Sequence, residues 1–114
     1  MADSPYPVVT PKLARARKEA APEQYQAFRE FNQRVFADGA LDAKTKELIA
    51  VAVAHVTQCP YCIEGHAKQA YKAGANREQI MEAIWVAAEM RAGAAYAHSV
   101  VALNALEQEQ KNSD

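Results

Sequence analysis

Helix-breaking residues are scarce in this chain, and their positions constrain the fold more than any other feature of the sequence. The 114 residues include only four glycines and five prolines, and three of these prolines lie within the first eleven residues. Pro22 and Pro60 suit the first position of a helix, whereas Gly39 and Gly74 suit helix ends. No segment has a credible strand pattern. We therefore predict an all-α fold.

The breakers and caps divide the sequence into helices with short connections. Asp42 reads as an N-cap, and Asn76 with Gln79 has the spacing of a capping box. The pattern then loosens at residues 91–93, where we expect a break before a last helix. The predicted helices cover residues 22–37, 43–57, 60–73, 77–90 and 94–108. Together they predict a compact bundle of about five to six helices.

Composition and charge separate a leader, one domain and a tail. Residues 1–21 are expected to be a flexible leader, helical in part near its end, that carries a basic patch. Residues 22–108 are expected to form a single domain, and residues 109–114 a polar tail that frays. The 13 basic and 14 acidic residues give no electrostatic case for nucleic acid or an anionic membrane. The leader lacks a secretory apolar stretch and no segment has transmembrane character, so we expect a cytoplasmic protein.

The predicted helix over residues 43–57 is apolar nearly all round, which predicts burial on every side. Such a helix is hard to cover in so small a domain. The surplus apolar surface therefore favours a homo-oligomer. Trp85 is expected in the core or at the subunit interface.

The octapeptide at residues 59–66 carries the chemistry. On a helix that begins at Pro60, the side chains of Cys59, Cys62 and His66 fall within a sector of about 60°. Unpaired backbone N–H groups of a first helical turn stabilise a thiolate. Two thiols placed there can form a reducible disulfide, and His66 can accept and return a proton. The sequence therefore predicts redox chemistry.

Glu47 is the candidate partner of His66. Twelve residues separate Glu47 from Cys59, which is about 18 Å along one helix and too far for contact with that thiol. If the next helix folds back antiparallel, His66 comes within reach of Glu47, directly or through one water.

The segment from Glu47-Leu48-Ile49-Ala50 through His55 and Cys59-Pro60-Tyr61-Cys62 to His66 resembles the alkylhydroperoxidase D core of the carboxymuconolactone decarboxylase family. The resemblance extends to about His98. It implies an all-α fold that assembles as a trimer or hexamer. It also implies reduction of a hydroperoxide by Cys62, with Cys59 as resolving thiol and with His66 and Glu47 as proton relay.

The resemblance further implies an external dithiol reductant, which the sequence does not identify, and no bound cofactor. Tyr61 is a departure, because the best-studied branch of the family has a second histidine between its cysteines. Family members that are true decarboxylases lack the cysteine pair, which disfavours lyase chemistry here.

Three alternatives stay open beside a peroxidase: a decarboxylase-like lyase, a zinc site formed by Cys59, Cys62, His66 and His55, and a non-catalytic oligomer whose thiols only sense oxidation. Further candidates for a substrate pocket are Tyr61, His55, Glu89 and His98.

Overall fold

The computed structural model describes residues 5–113, so the first four residues of the predicted leader and Asp114 of the predicted tail lie outside the described part. The all-α prediction is confirmed, since the described residues contain five α-helices and no strand. The chain divides into two units, with the boundary after Ala37. The helices are α1 (Pro11–Ala20), α2 (Pro22–Phe36), α3 (Ala43–Thr57), α4 (Pro60–Lys72) and α5 (Arg77–Ser113).

The first unit contains α1 and α2, and each begins with proline at its first turn. Thr10 caps α1 by accepting a hydrogen bond from the backbone N–H of Leu13 at 3.2 Å. The ammonium group of Lys18 lies 5.3 Å from the centre of the Tyr25 ring, a cation–π distance. Neither helix contains a buried residue, so this unit has no apolar core of its own.

The second unit contains α3, α4 and α5, and α3 contacts both of the others. Its helix ends follow the predicted caps. Asp42 caps α3 through the N–H of Thr45 at 2.7 Å. Asn76 and Gln79 exchange two hydrogen bonds, at 2.8 and 2.9 Å, that form the predicted capping box before α5. These local signals place α3 and α4 at the predicted residues and begin α5 at Arg77.

The core of the second unit is formed by small residues. Val51 of α3 and Ala70 of α4 are fully buried, and Ala75 joins them. Leu48, Ile80 and Ile84 pack around this cluster. Small side chains let the helices approach closely, which sets Glu47 of α3 facing the cysteine helix.

The predicted break at residues 91–93 is wrong, because α5 runs unbroken from Arg77 to Ser113. One glycine costs a helix only about 1 kcal/mol relative to alanine. The strong helix formers Ala92, Ala94 and Ala95 flank Gly93, and no proline follows it. Helix α5 also continues through residues 109–113 of the predicted polar tail.

The predicted number of about five helices is confirmed, but the buried residues all lie in the second unit. Residues 94–113 of α5 are all exposed, and α1 and α2 bury no residue. The core of the single chain therefore involves α3, α4 and the first part of α5.

Apolar burial on α3 is one-sided rather than all round. Ile49, Val53 and Val56 form an exposed stripe on this helix. Trp85 is 68% exposed, so it lies outside the core of the single chain, and its expected place at a subunit interface stays a prediction. None of the described helices combines the length and apolar character needed to span a bilayer.

Gly74 generates a stability prediction. It follows α4 with φ 104°, and the N–H groups of Gly74 and Ala75 close the helix end on the carbonyls of Tyr71 and Ala70. A side chain is strained in this left-handed conformation, so Gly74→Ala should lower the free energy of unfolding by about 1 kcal/mol. Urea unfolding measures the change.

Gly65→Ala is the matched control, because Gly65 lies inside α4 and a Cβ there would meet no atom within 4 Å. It should raise stability by up to about 1 kcal/mol. Equal effects of the two substitutions would contradict the proposed role of Gly74.

Candidate active site

The two cysteines lie at the start of α4 in the predicted positions. Cys59 is the N-cap and Pro60 the first helical residue. The Cys59 sulfur accepts a hydrogen bond from the backbone N–H of Cys62 at 3.2 Å. Both thiols are half-buried and not linked to each other. The cap that begins the helix is thus itself one of the reactive groups.

The hydrogen bonds polarise the two thiols in opposite directions. The pKa of Cys59 is lowered, chiefly because the Cys62 thiol and then the Cys62 backbone N–H donate to its sulfur. The pKa of Cys62 is raised, chiefly by its hydrogen bond to Cys59 and then by burial. Cys59 therefore ionises before Cys62 as the pH rises.

Glu47 and His66 join α3 to α4, and His66 lies one helical turn after Cys62 on α4. Glu47 Oε2 lies 2.7 Å from His66 Nδ1, so the predicted pairing, direct or through one water, is a direct contact. Only 11% of the Glu47 side chain and 28% of the His66 side chain are exposed. A buried carboxylate needs such a charge-assisted partner, because water no longer solvates it.

This contact assigns the proton on the imidazole. An ionised carboxylate only accepts, so His66 Nδ1 carries the hydrogen and donates it to Glu47. The basic nitrogen of the neutral ring is then Nε2. Glu47 also stabilises the imidazolium that forms when Nε2 takes a proton. The pair can therefore accept a proton from a thiol and return it to a leaving oxygen.

The pocket candidates occupy different positions. His55 Nδ1 lies 2.7 Å from the carbonyl oxygen of Val51, so its ring is hydrogen-bonded within its own helix. Tyr61 is 37% exposed and lies between the cysteines. Glu89 and His98 are exposed on α5, and the Glu89 carboxylate lies against Gly93 of the same helix.

A shallow cavity at the C-terminal end of α5 has none of these four residues in its lining. It is formed by Leu106, Glu109, Gln110 and Ser113. The structure therefore does not join the four candidates to this cavity.

The zinc alternative lacks geometric support. Among residues 5–113, no three histidine, cysteine, aspartate or glutamate side chains are grouped so that they could hold a metal ion. The predicted set of four zinc ligands is thus not assembled.

Sequence reasoning missed one residue at the site. Arg91 Nη1 donates to the carbonyl oxygen of Val56 at 2.6 Å, three residues before Cys59. The sequence places Arg91 where a helix break was predicted, and 35 residues separate the two partners. No local pattern signals a contact over that separation; only the packing of α3 on α5 creates it.

The opposed pKa shifts predict which thiol reacts first with an alkylating reagent. Because the thiolate is the nucleophile, the labelling rate of Cys59 should rise at lower pH than that of Cys62. Because the more acidic thiolate is also the weaker nucleophile, Cys59 should be labelled about threefold faster near neutral pH for each unit by which the two pKa values differ. Limiting iodoacetamide followed by tandem mass spectrometry measures both sites.

Protein unfolded in urea is the control for this measurement, and its two thiols should label at similar rates. Faster labelling of Cys62 in the folded protein would contradict the assignment of the lower pKa to Cys59.

Comparison with known proteins identifies the family. The model of the carboxymuconolactone decarboxylase family matches residues 22–106, a range that contains all four residues of the thiol and proton-transfer site. An uncharacterised protein encoded in the cox locus of Paracoccus denitrificans is 59% identical over 108 residues, covering 95% of this chain and 96% of that protein.

Two crystal structures are also similar. A carboxymuconolactone decarboxylase family protein from Legionella pneumophila is 45% identical with a TM-score of 0.65, over 72% of each chain. A family member from Thermotoga maritima, for which an antioxidative role has been suggested, is 29% identical with a TM-score of 0.56. That match covers 78% of this chain and 95% of the other. The chain therefore belongs to the carboxymuconolactone decarboxylase family, within its alkylhydroperoxidase D-like members, and carries a Cys59–Cys62 pair.

Proposed function

We propose that this protein is a thiol-dependent peroxidase and disulfide oxidoreductase that cycles Cys59 and Cys62 between dithiol and disulfide. The observation that carries the proposal is the polarised thiol pair at the start of α4, on the same helix as a histidine held by a buried carboxylate. The antioxidative role suggested for the Thermotoga maritima relative supports the same chemistry. The cycle needs no bound cofactor.

In the oxidative half of the cycle, the Cys62 thiol loses its proton to His66 Nε2. The Cys62 sulfur then attacks the terminal oxygen of a hydroperoxide, and the O–O bond breaks. His66 returns the proton to the departing oxygen, which leaves as an alcohol or as water. Cys62 is thereby oxidised to a sulfenic acid, and the peroxide is reduced by two electrons.

The Cys59 thiolate resolves that intermediate. Its sulfur attacks the Cys62 sulfenic acid, the S–O bond breaks, and the hydroxyl group takes up a proton and leaves as water. The hydrogen bond from the Cys62 backbone N–H suits this step, because it lowers the pKa of the resolving Cys59 sulfur. The product is the Cys59–Cys62 disulfide.

An external dithiol completes the cycle. One of its thiolates attacks the disulfide and forms a mixed disulfide, and its second thiol releases the reduced protein. The substrates are thus a hydroperoxide and a dithiol reductant, protein-borne or small.

Disulfide exchange without peroxide is a second candidate, and the lowered pKa of Cys59 favours it. An ionised N-terminal cysteine of a Cys-x-x-Cys pair is a good nucleophile toward a disulfide. In that reaction Cys59 attacks a substrate disulfide and Cys62 releases the product. The serine variants below separate the two candidates.

We also propose that the protein is a homo-oligomer, a trimer or hexamer as the family resemblance implies. The support is the amount of apolar surface that the single chain leaves uncovered, on α3 at Ile49 and Val53 and on α5 at Trp85, Tyr96 and Val100. A monomeric mass in sedimentation equilibrium would contradict this assembly.

Cys62→Ser tests the function and the order of attack. This variant should abolish peroxide consumption and the intramolecular disulfide, because it removes the attacking sulfur. Cys59→Ser should still reduce one equivalent of peroxide and then stop as a Cys62 sulfenic acid, which a sulfenic-acid reagent traps. Peroxide loss and trapped adduct are measured in a single turnover.

Retained steady-state turnover in Cys62→Ser would refute the peroxidase proposal. The reverse pattern, with the sulfenic acid on Cys59, would refute the proposed order. Loss of disulfide-substrate reduction in Cys59→Ser, with no peroxide consumption by the wild type, would select the exchange reaction.

Glu47→Gln tests the proton relay. The amide cannot stabilise the imidazolium of His66, so turnover with peroxide should fall at least about tenfold while the thiols remain titratable. Stopped-flow peroxide consumption measures the rate.

Glu64→Gln is the matched control, because Glu64 is an exposed glutamate of α4 that pairs with Lys68 at 3.0 Å. It should keep the wild-type rate. Equal rates in Glu47→Gln and the wild type would remove Glu47 from the relay.

A further inference from the structure

The last two residues of α3 and the two residues that connect it to α4, Val56–Cys59, are here called the α3–α4 elbow. It ends on a reactive thiol, since Cys59 is the N-cap of α4. Gln58 has φ 57° and ψ 47°, the left-handed conformation, and the Cys59 N–H closes back on the carbonyl of Ala54 at 3.2 Å. A small change in the elbow therefore moves the Cys59 sulfur directly.

The left-handed conformation of Gln58 is held by backbone hydrogen bonds to Ala54 at the end of α3, and a contact from α5 adds to them. For a residue other than glycine this conformation costs about 1 kcal/mol or more. Such conformations persist where surrounding contacts hold them. Arg91 supplies one such contact from α5, because its Nη1 donates to the Val56 carbonyl at 2.6 Å.

Arg91 also acts on the charge around Cys59. The last carbonyls of α3 carry the negative end of its helix dipole, and they directly precede Cys59 in the chain. Alone, they would oppose negative charge on the sulfur. The guanidinium of Arg91, hydrogen-bonded to one of these carbonyls, offsets their partial charge. The positive end of the α4 dipole then stabilises the Cys59 thiolate against a smaller opposing charge from α3.

We propose that Arg91 is a positioning residue that holds the α3–α4 elbow and, with its positive charge, sets the reduction potential of the Cys59–Cys62 pair. The proposal rests on the proposed cycling of that pair between dithiol and disulfide. Arg91 is not a catalytic residue in this scheme, since its described contact is with the backbone of the elbow and not with a reacting atom.

The reaction that tests the proposal is the equilibrium with glutathione. Two glutathione molecules reduce the Cys59–Cys62 disulfide to the dithiol and become glutathione disulfide, so atoms and electrons balance. Stabilising a thiolate of the reduced pair favours the dithiol side. Loss of the positive charge of Arg91 should therefore shift the equilibrium toward the protein disulfide.

Three substitutions separate charge from packing. Arg91→Met removes the charge and the donor, Arg91→Gln keeps a donor without charge, and Arg91→Lys keeps the charge. Thiol counting in glutathione buffers at about pH 8, close to the ordinary pKa of a thiol, gives the equilibrium constant. Arg91→Met and Arg91→Gln should each shift it about threefold toward the disulfide, and Arg91→Lys by less than half as much on a logarithmic scale.

Arg77→Met is the matched control, the same substitution on the same helix at a residue whose side chain makes no hydrogen bond or ion pair in the described part of the chain. It should leave the equilibrium constant unchanged. Circular dichroism checks folding, and if Arg91→Met does not fold, the comparison of Arg91→Gln with Arg91→Lys decides.

Wild-type constants in Arg91→Met and Arg91→Gln, or equal shifts in Arg91→Gln and Arg91→Lys, would overturn the proposal. Either result leaves the redox function standing, because the wild type still forms its disulfide. If the wild type forms no disulfide in any glutathione buffer, the cycle and the role of Arg91 both fail. The measurement contains no peroxide, so failure of the peroxidase activity alone does not affect it.

Discussion

The pairing of Glu47 with His66 is the interaction on which the site depends. Glu47 is the one buried charged residue among those that the structure describes, and its carboxylate meets the imidazole at 2.7 Å. An ionised carboxylate withdrawn from water is unfavourable without such a partner. The pairing therefore links the register of α3 and α4 to the protonation of His66, and the fold and the proton relay share one contact.

The thiol pair draws its reactivity from how two helices meet. Cys59 lies between the negative end of α3 and the positive end of α4, and the Cys62 N–H donates to its sulfur. These fields oppose each other at one atom. The contact from Arg91 to Val56 reduces the unfavourable contribution. The reactivity of the pair thus depends on α5 as well as on the helix that carries the cysteines.

The apolar surface of the single chain shows which of the residues predicted to be buried are not covered within one chain. The apolar stripe of α3 and much of α5 remain exposed, including Val53, Trp85 and Tyr96. Sequence periodicity identifies which residues need cover, but it does not distinguish cover within one chain from cover by another. This is the physical ground for the proposed oligomer.

Local chemistry alone determined much of this protein. Asp42, Asn76 and Pro60 begin their helices where their side chains or missing N–H groups require it, and the spacing of the cysteines and histidine places them on one helix face. These signals act over three or four residues, so one sequence reveals them. The sequence also predicted the Glu47–His66 pairing, because the length of α3 and an antiparallel α4 bring these two side chains within reach of each other.

Only the tertiary structure decided the rest. Gly93 is a weak local signal for a helix break, but α5 continues through it because an alanine-rich helix tolerates one glycine. The contact of Arg91 with the elbow joins residues 35 apart. The opposite pKa shifts of the two thiols depend on hydrogen bonds that form only at the folded start of α4. Such features depend on how separate helices pack, and packing energies are not carried by any local sequence pattern.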